Sequence, residues 1–312
     1  MTAQVWIDQT RDMLLSGYVE DLDLVTTPPS PATTGTTLVI QGISSSIVKG
    51  VVIEVNSELM YVISVTSTTV SVMRGYGGST PGTHTAGDVV RVSPKFPAHR
   101  IIDSLNDDLA DLSAPSQGLF QMKTTSFTYN ASVDGYDLSG LTSAEIDSIY
   151  SVTYADAGSA ASEPEVSSWR LRRNRDTSSF SSGLALILYS GVWPGQTVTV
   201  SYKAPFTSIT NAATARSATG LPATAYDLPP LGAAMALMTT TPIRREFLDA
   251  QGTSRMADEV PPGAISASFR DLMGRRRARV EAESGRLVSQ YPQVWTRSSG
   301  MRPSNQWSGY SS

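Results

Sequence analysis

Five short runs of alternating β-branched and polar residues between positions 37 and 92 constrain the fold more than any other feature of the chain. Gly, Asn and Ser residues separate the runs, as is common between strands. The runs are Thr37–Ile40, Val51–Val55, Leu59–Val65, Thr69–Met73 and Val89–Val92. Because alternate side chains of a strand point to opposite faces, each run can bury one face only. Strands this short predict a small β-barrel-like module, which we place at residues 36–95.

The loop between the last two runs, "RGYGGSTPGTHTAGD", is rich in Gly and Thr and contains one histidine. A phosphate-binding loop would lead from its glycines directly into a helix, whose N–H groups face the anion. Here the glycines lead into a strand, so the loop is not of that kind. Gly75, Gly77 and Gly78 predict a turn with positive φ angles, and the loop residue His84 is predicted to be hydrogen-bonded to the backbone or to a nearby hydroxyl.

Helical periodicity appears at the start, in the middle and near the end of the chain. We expect an N-terminal helix in residues 1–25, an extended linker over Thr26–Gly35, and a linking helix over residues 98–113. The linking helix has an apolar stripe of Ile101, Ile102, Leu105, Leu109 and Leu112. Its remaining positions are predicted to be solvated, and they include Asp103, Asn106, Asp107, Asp108 and Asp111.

A second β region covers residues 118–207, where strand-like runs alternate with turn-rich segments such as "NASVDG" and "WPGQ". This pattern predicts an antiparallel β-sandwich. A helical region follows at residues 226–290, with helices predicted at Pro230–Thr240, Pro242–Ala250 and Ile265–Ser289. Residues 291–312 form a predicted extended tail. The chain is thus expected to be a multi-domain α+β protein that combines the two β modules with a helical bundle.

The last predicted helix carries an apolar stripe made of Ile265, Phe269, Leu272, Val280 and Leu287. Arg276 falls on the same side of the helix as this stripe. Two pairs at i, i+4 spacing, Arg277 with Glu281 and Arg279 with Glu283, predict ion pairs along the helix surface.

Composition excludes several classes of chemistry. With no cysteine and two histidines, thiol nucleophiles, thiolate zinc sites and multi-histidine metal centres are not expected. Serine runs lack a nucleophile elbow, and no pair of acids has a recognisable catalytic spacing. We therefore expect neither an enzyme nor a cofactor. No apolar run is long enough to span a bilayer and the N-terminus lacks a signal-peptide pattern, so neither membrane insertion nor export is expected.

Charge is distributed unevenly although the formal net charge is only −4. Five acids and one base lie between Met1 and Asp23, whereas the region from Ala264 onward holds eight arginines and three acids. Opposite charge at the two ends favours contacts between subunits. Arg275, Arg279 and Arg286 lie along one flank of the last helix and are predicted to meet acidic residues of a neighbouring subunit or partner.

Two other features suggest contacts with partners. The run "RLRRNR" could neutralise DNA phosphates, but in a strand its arginines fall on both faces, which favours solvated or intersubunit pairing. The tail is rich in Ser and Gly yet contains Trp295, Trp307 and Tyr310. These rings are predicted to anchor the tail in pockets of a partner, so that it becomes ordered only on docking.

One motif resembles a segment found in structural proteins of tailed bacteriophages. The run "ELMYVISVTSTTVSVMRGYGGSTPGTHTAGDVV" has a strand, an Arg-Gly pair, a loop with a histidine and a second strand. The residues that match the phage pattern are Glu58, Arg74, Gly75, Gly78, Ser79, His84 and Gly87. Several virion components share this pattern, so it indicates the phage particle better than a position within it.

The C-terminal part resembles head-to-tail adaptor, or connector, proteins of the same phages. There, strands like "VTVSYKAPF" precede a segment like "DLPPLGAAMALMTTTPIRREFLDAQG" and a long Arg-rich helix. The resemblance implies a dodecameric ring at the head-tail junction of the virion, assembled in the host cytoplasm. Such a ring docks on the portal protein, receives a neck or tail-completion protein, and lets double-stranded DNA pass without sequence-specific binding.

Two alternatives stay open at this point. Because compact adaptors are largely helical and this chain has two β modules, a tail or baseplate structural protein is one of them. The other is a carbohydrate-binding module on the virion surface, for which Trp169 and Trp193 would provide stacking platforms.

Overall fold

The structure is a computed structural model that describes residues 1–15, 20–42, 45–141, 145–155, 163–189, 192–240 and 264–292. Within these residues it is a mixed α+β protein, as predicted, with one closed barrel, two further antiparallel sheets and four α-helices. The barrel, the pair of sheets and the set of helices each have their own cluster of buried apolar side chains.

The predicted small β module is a closed six-stranded barrel with the strand order β1-β2-β5-β4-β3-β6. Its strands are β1 (Leu22–Thr27), β2 (Thr37–Ile40), β3 (Val52–Val55), β4 (Glu58–Thr66), β5 (Thr69–Met73) and β6 (Val89–Val92). All neighbouring pairs are antiparallel. Alternate residues point inward and are buried, for example Val70 and Val72 on β5. The side chains at every second position therefore fill the interior of the barrel.

Strand β1 corrects the sequence analysis, which assigned residues 1–25 to the N-terminal helix and residues 26–35 to a linker. The helix ends at Leu15, and Leu22–Thr27 pairs with both β2 and β6, which closes the barrel. Only Val25 of this strand is buried. Leu22 and Leu24 are exposed, so the apolar residues of this segment do not mark its buried face, and it is a strand because two neighbours bond to it.

The second β region consists of two three-stranded antiparallel sheets, ordered β7-β12-β9 and β10-β11-β8. The strands are β7 (Gln121–Thr128), β8 (Tyr136–Asp137), β9 (Ser148–Tyr154), β10 (Trp169–Arg172), β11 (Ala185–Leu188) and β12 (Thr197–Ala204). Side chains from both sheets form one apolar cluster, in which the rings of Phe127 and Tyr136 stack 4.3 Å apart. Two sheets around one core are compatible with the predicted sandwich.

The four described helices are α1 (Gln4–Leu15), α2 (Ala98–Leu112), α3 (Leu228–Thr240) and α4 (Ala264–Gln290). All of them contribute to the third cluster, together with residues that flank the second β region, such as Phe120 and Phe206. The predicted stripe of α2 is confirmed, since all five of its apolar residues are buried. The helix predicted at Pro242–Ala250 lies outside the described residues. The structure does not show the predicted helical bundle, which stays a prediction.

None of the helices in the described ranges combines the length and the apolar character that a bilayer span requires.

Candidate functional site

The residues of the phage-like motif converge in the barrel. Arg74, at the end of β5, donates from Nε and Nη2 to the two carboxylate oxygens of Glu58 on β4, each over 2.6 Å. Arg74 also donates to the carbonyl oxygens of Ala32 and Gly82. Both side chains are almost completely buried. This ion pair therefore ties the start of β4 to two loops of the barrel.

Glu58 accepts further hydrogen bonds from the same loop. The backbone N–H groups of Gly75 and Gly82 donate to its carboxylate over 3.1 and 2.9 Å, and His84 Nε2 lies 2.8 Å from Oε2. Burial raises the pKa of Glu58, but the hydrogen bonds from Arg74, His84 and the two amides outweigh it and hold that pKa at about 2. Glu58 is therefore an anion at neutral pH, and His84 Nε2 carries the hydrogen of their shared bond.

His84 is buried, as part of this network, with its Nδ1 3.4 Å from the side-chain nitrogen of Asn56. The loop reaches this geometry because Gly75 and Gly78 adopt φ angles of 64° and 90°, which side chains disfavour. Ser79 Oγ then accepts a hydrogen bond from Leu59 N–H. The predicted turn is confirmed, and β6, not a helix, follows it. The predicted partner of His84, the backbone or a hydroxyl, is wrong, because His84 bonds to the Glu58 carboxylate.

The pH dependence of stability provides a test of this network. Because the folded-state pKa of Glu58 lies below its ordinary value of 4.5, its contribution to the free energy of unfolding is present above about pH 4.5 and is lost toward pH 2. We expect Glu58→Gln to flatten the acid limb of a plot of urea midpoint against pH. The exposed Glu281→Gln variant is the control, and an unchanged acid limb in Glu58→Gln would contradict the assignment.

A second buried ion pair joins the barrel to the helices. Arg11 on α1 donates from Nη2 to both carboxylate oxygens of Glu54 on β3, over 2.7 and 2.8 Å. Glu54 also accepts the backbone N–H of Ala98, the first residue of α2, and Arg11 donates to the carbonyl of Phe96. Burial raises the pKa of Glu54 although the Arg11 guanidinium opposes this. The network fixes α1, α2 and the barrel relative to one another.

A third charged cluster lies where α2, α3 and α4 meet. Arg276 of α4 donates from Nε and Nη2 to Asp108 Oδ1, over 3.0 and 2.7 Å, and from Nη2 to Asp111 over 2.6 Å. Asp108 corrects the sequence analysis, which placed it on the solvated face of α2, because the residue is only 7% exposed. The predicted stripe of α4 is confirmed in part, since Val280 and Leu287 are buried and Phe269 and Leu272 are partly buried. The side chain of Ile265 lies outside the described ones.

The three arginines predicted to contact a partner differ in their surroundings. Arg279 is paired within the chain, to Asp227 over 2.8 Å and to Glu283 over 3.5 Å, and Arg286 is paired to Glu283 over 2.8 Å. Arg275 is 67% exposed, and its ion pair within the described residues is an i, i+4 contact to Asp271, itself exposed. Of the three, Arg275 is the most accessible to another molecule, and the partner role of all of them stays a prediction.

Trp295, Trp307 and Tyr310 lie outside the described residues. The start of the predicted tail belongs to the fold, since Tyr291 packs against Phe120 and Tyr150 with ring centroids 6.0 and 5.9 Å apart. Tyr150 also donates its hydroxyl hydrogen to the carbonyl of Pro292. Residues 291 and 292 of the predicted tail therefore belong to the folded part of the chain.

The remaining candidate surfaces lie on the second β region. Trp169 is partly buried against the apolar cluster, whereas Trp193 is 74% exposed. In the run "RLRRNR", Arg170 and Arg172 are exposed on β10 and Arg173 donates to the carbonyls of Ile146 and Asp147. In the described part of the chain, no group of three or more acidic or histidine side chains is placed to hold a metal ion.

Comparison with known proteins adds no relative. No protein-family model matches the chain, and no curated protein matches it at a significant level.

Proposed function

We propose that this chain is a virion structural protein, a head-to-tail adaptor whose copies form a dodecameric ring. The ring would dock on the portal protein and receive a neck or tail-completion protein, while its centre passes double-stranded DNA. The observation that carries the proposal is the network around Glu58. The phage-like motif supplies the Glu58, Arg74 and His84 side chains of that network, as well as Gly75, which bonds to Glu58, and Ser79, which anchors Leu59.

Internal ion pairs make the proposal physically reasonable. Arg11 with Glu54 and Arg276 with Asp108 hold the barrel and the helices as one body. A subunit that must transmit docking forces between a capsid and a tail benefits from such rigid joints. Closure of a ring then multiplies weak contacts between neighbours into a stable collar.

Charges on the outside of the helices support a heterologous contact. Arg275 and Arg277 are exposed on α4, with 67% and 82% of their side-chain surface accessible. Asp8 and Asp12 are accessible on α1, although Asp8 lies 3.9 Å from Arg91. Glu20 of the acidic N-terminal region is buried and paired with Arg91. We propose that α4 of one subunit approaches α1 of the next. Opposite charge there would steer assembly more than it would strengthen it.

The size and symmetry of the purified protein test the proposal. We expect mass photometry and electron microscopy to show a twelve-fold ring, and a pull-down to recover the portal protein. A solitary monomer that is absent from the head-tail junction of the virion would refute the adaptor assignment. A ring found in the tail or baseplate would favour the second structural role.

Deletion of residues 293–312 tests the tail. We expect the truncated protein to keep its unfolding midpoint, because Tyr291 and Pro292 retain their contacts, but to fail to join the particle. The loss of Trp295, Trp307 and Tyr310 would remove the aromatic anchors of docking. Incorporation can be measured by quantitative mass spectrometry of purified virions. Normal incorporation of the truncated chain would contradict the prediction.

The exposed Trp193 favours one alternative, a carbohydrate-binding module on the virion surface. An exposed indole is a suitable platform for a sugar ring. Specific binding on a glycan array that is abolished by Trp193→Ala would favour this function over the adaptor.

A further inference from the structure

Asp108 has one carboxylate oxygen that the fold leaves without a partner. Its Oδ1 accepts two hydrogen bonds from Arg276, but its Oδ2 is buried and makes no hydrogen bond in the described structure. A buried oxygen of this kind is expensive, since water has been removed and nothing replaces it. Such an atom therefore requires an explanation.

Charges around Asp108 are unbalanced when both acids are ionised. Within the described residues, α2 contributes Asp111 and α4 contributes Arg276, while α3 presents the uncharged residues Gly232, Met235 and Ala236. Two carboxylates thus face one guanidinium. Burial raises the pKa of Asp108 to about 7, with Arg276 opposing and Asp111 adding to the rise. At neutral pH Asp108 is therefore partly protonated. A second cation beside it would replace this proton.

A shallow cavity, open to solvent, adjoins this cluster. It measures about 260 Å³, and its described lining combines Asp108, Asp111 and Arg276 with the apolar side chains of Met235, Ala236 and Phe269. A second cavity of about 480 Å³ is also lined by Met235 and Arg276. Asp111 is the accessible acid of this cluster, with 53% of its side chain exposed, whereas Arg276 and Asp108 are 14% and 6% exposed. Charged groups beside apolar walls are the combination found in sites that recognise a charged group on an apolar stem.

We propose that this cavity binds the guanidinium group of an arginine side chain presented by a partner protein. A guanidinium supplies N–H donors in a plane, is weakly hydrated and packs well on apolar and aromatic surfaces, so it suits this lining better than an ammonium group. It would balance the second carboxylate, and it would donate to Oδ2 once the side chains that cover this buried atom move aside. The inference rests on the cavity and its charges and is independent of the ring proposed above.

Proton linkage predicts that the affinity of the site for a cation depends on pH. A bound cation favours the ionised form of Asp108, so binding releases the proton and the affinity rises with pH. With a pKa of about 7, the ionised fraction of Asp108 increases about tenfold between pH 6 and pH 8. An ordinary surface carboxylate is ionised throughout that range and would bind with constant affinity.

The experiment uses the full chain and two small probes, N-acetylarginine methylamide and its uncharged citrulline analogue. We expect the arginine probe to shift the NMR signals of Asp108 and Met235, with an affinity about tenfold higher at pH 8 than at pH 6, while the citrulline probe has no effect. Asp108→Asn should abolish the binding. Equal effects of both probes, or an affinity independent of pH, would overturn the proposal.

A second variant keeps the test decisive if Asp108→Asn does not fold. Met235→Lys places a cation on the wall of the cavity, and Met235→Gln is the matched neutral control. We expect Met235→Lys to lower the pKa of Asp108, measured from its carboxyl ¹³C shift, and to displace the arginine probe. An unchanged pKa and unchanged probe binding in Met235→Lys would show that the cavity does not accept a cation beside Asp108.

Discussion

Replacing Gly232 with alanine is expected to lower the free energy of unfolding by about 3 kcal/mol or more. A Cβ atom at this position of α3 would lie 1.7 Å from Asp108 Oδ1 and 2.1 Å from its Cγ. The carboxylate cannot simply move aside, because it is buried and held by two hydrogen bonds from Arg276. Alanine would therefore separate the ion pair that connects α2 with α4.

Gly274 provides the matched control, since it lies within α4 and an added Cβ would meet no atom within 4 Å. Alanine is favoured over glycine in an open helical position by about 1 kcal/mol, so Gly274→Ala should stabilise the protein. Urea unfolding followed by tryptophan fluorescence measures both variants. If Gly232→Ala also stabilised the protein, the close packing of α3 on Asp108 would be wrong.

Replacing Arg74 with methionine should lower the free energy of unfolding by about 3–5 kcal/mol. The substitution leaves Glu58 buried with its charge and removes two of its hydrogen bonds. It also frees the carbonyls of Ala32 and Gly82, so both loops at this end of the barrel would loosen. The size of the effect follows from burial, because an uncompensated charge cannot recover its hydration there.

Arg277→Met is the control for Arg74→Met, because Arg277 has a comparable ion pair with Glu281 that is exposed to solvent. Exposed pairs of this kind contribute about 0.5 kcal/mol or less. The double variant Glu58→Gln with Arg74→Met should recover part of the loss, since it removes both charges. A similar small effect for Arg74→Met and Arg277→Met would show that the network around Glu58 is not closed to water.

The elements with a strong local pattern were predictable. Five of the six strands of the small module were expected close to their observed positions, and the apolar stripe of α2 was correct at every residue. Strand β1 was missed because its leucines are exposed and its one buried residue is Val25, so its apolar pattern does not match its buried face. Its pairing with β2 and β6 exists only after the barrel has formed.

The charged networks were only partly predictable. The phage-like motif marked Glu58, Arg74 and His84 as a set, but their bonds to one another are a property of the folded loop. Arg276 was expected on the buried side of α4, an unusual place for an arginine that signals a hidden partner. Its partner Asp108 was assigned to the solvated face of α2, since a helix pattern does not show which neighbours will cover that face.

The amino-acid sequence alone determined the class of the fold, most of the strands and the buried side of α2 and α4. These depend on residues two to four positions apart, whose relative directions are set by backbone geometry. Tertiary structure decided which charges are buried and what they bond to. Arg276 and Asp108 are 168 positions apart, and Arg11 and Glu54 are 43 apart. Only the packing of separate elements removes water from such pairs, and that removal makes each partner necessary to the other.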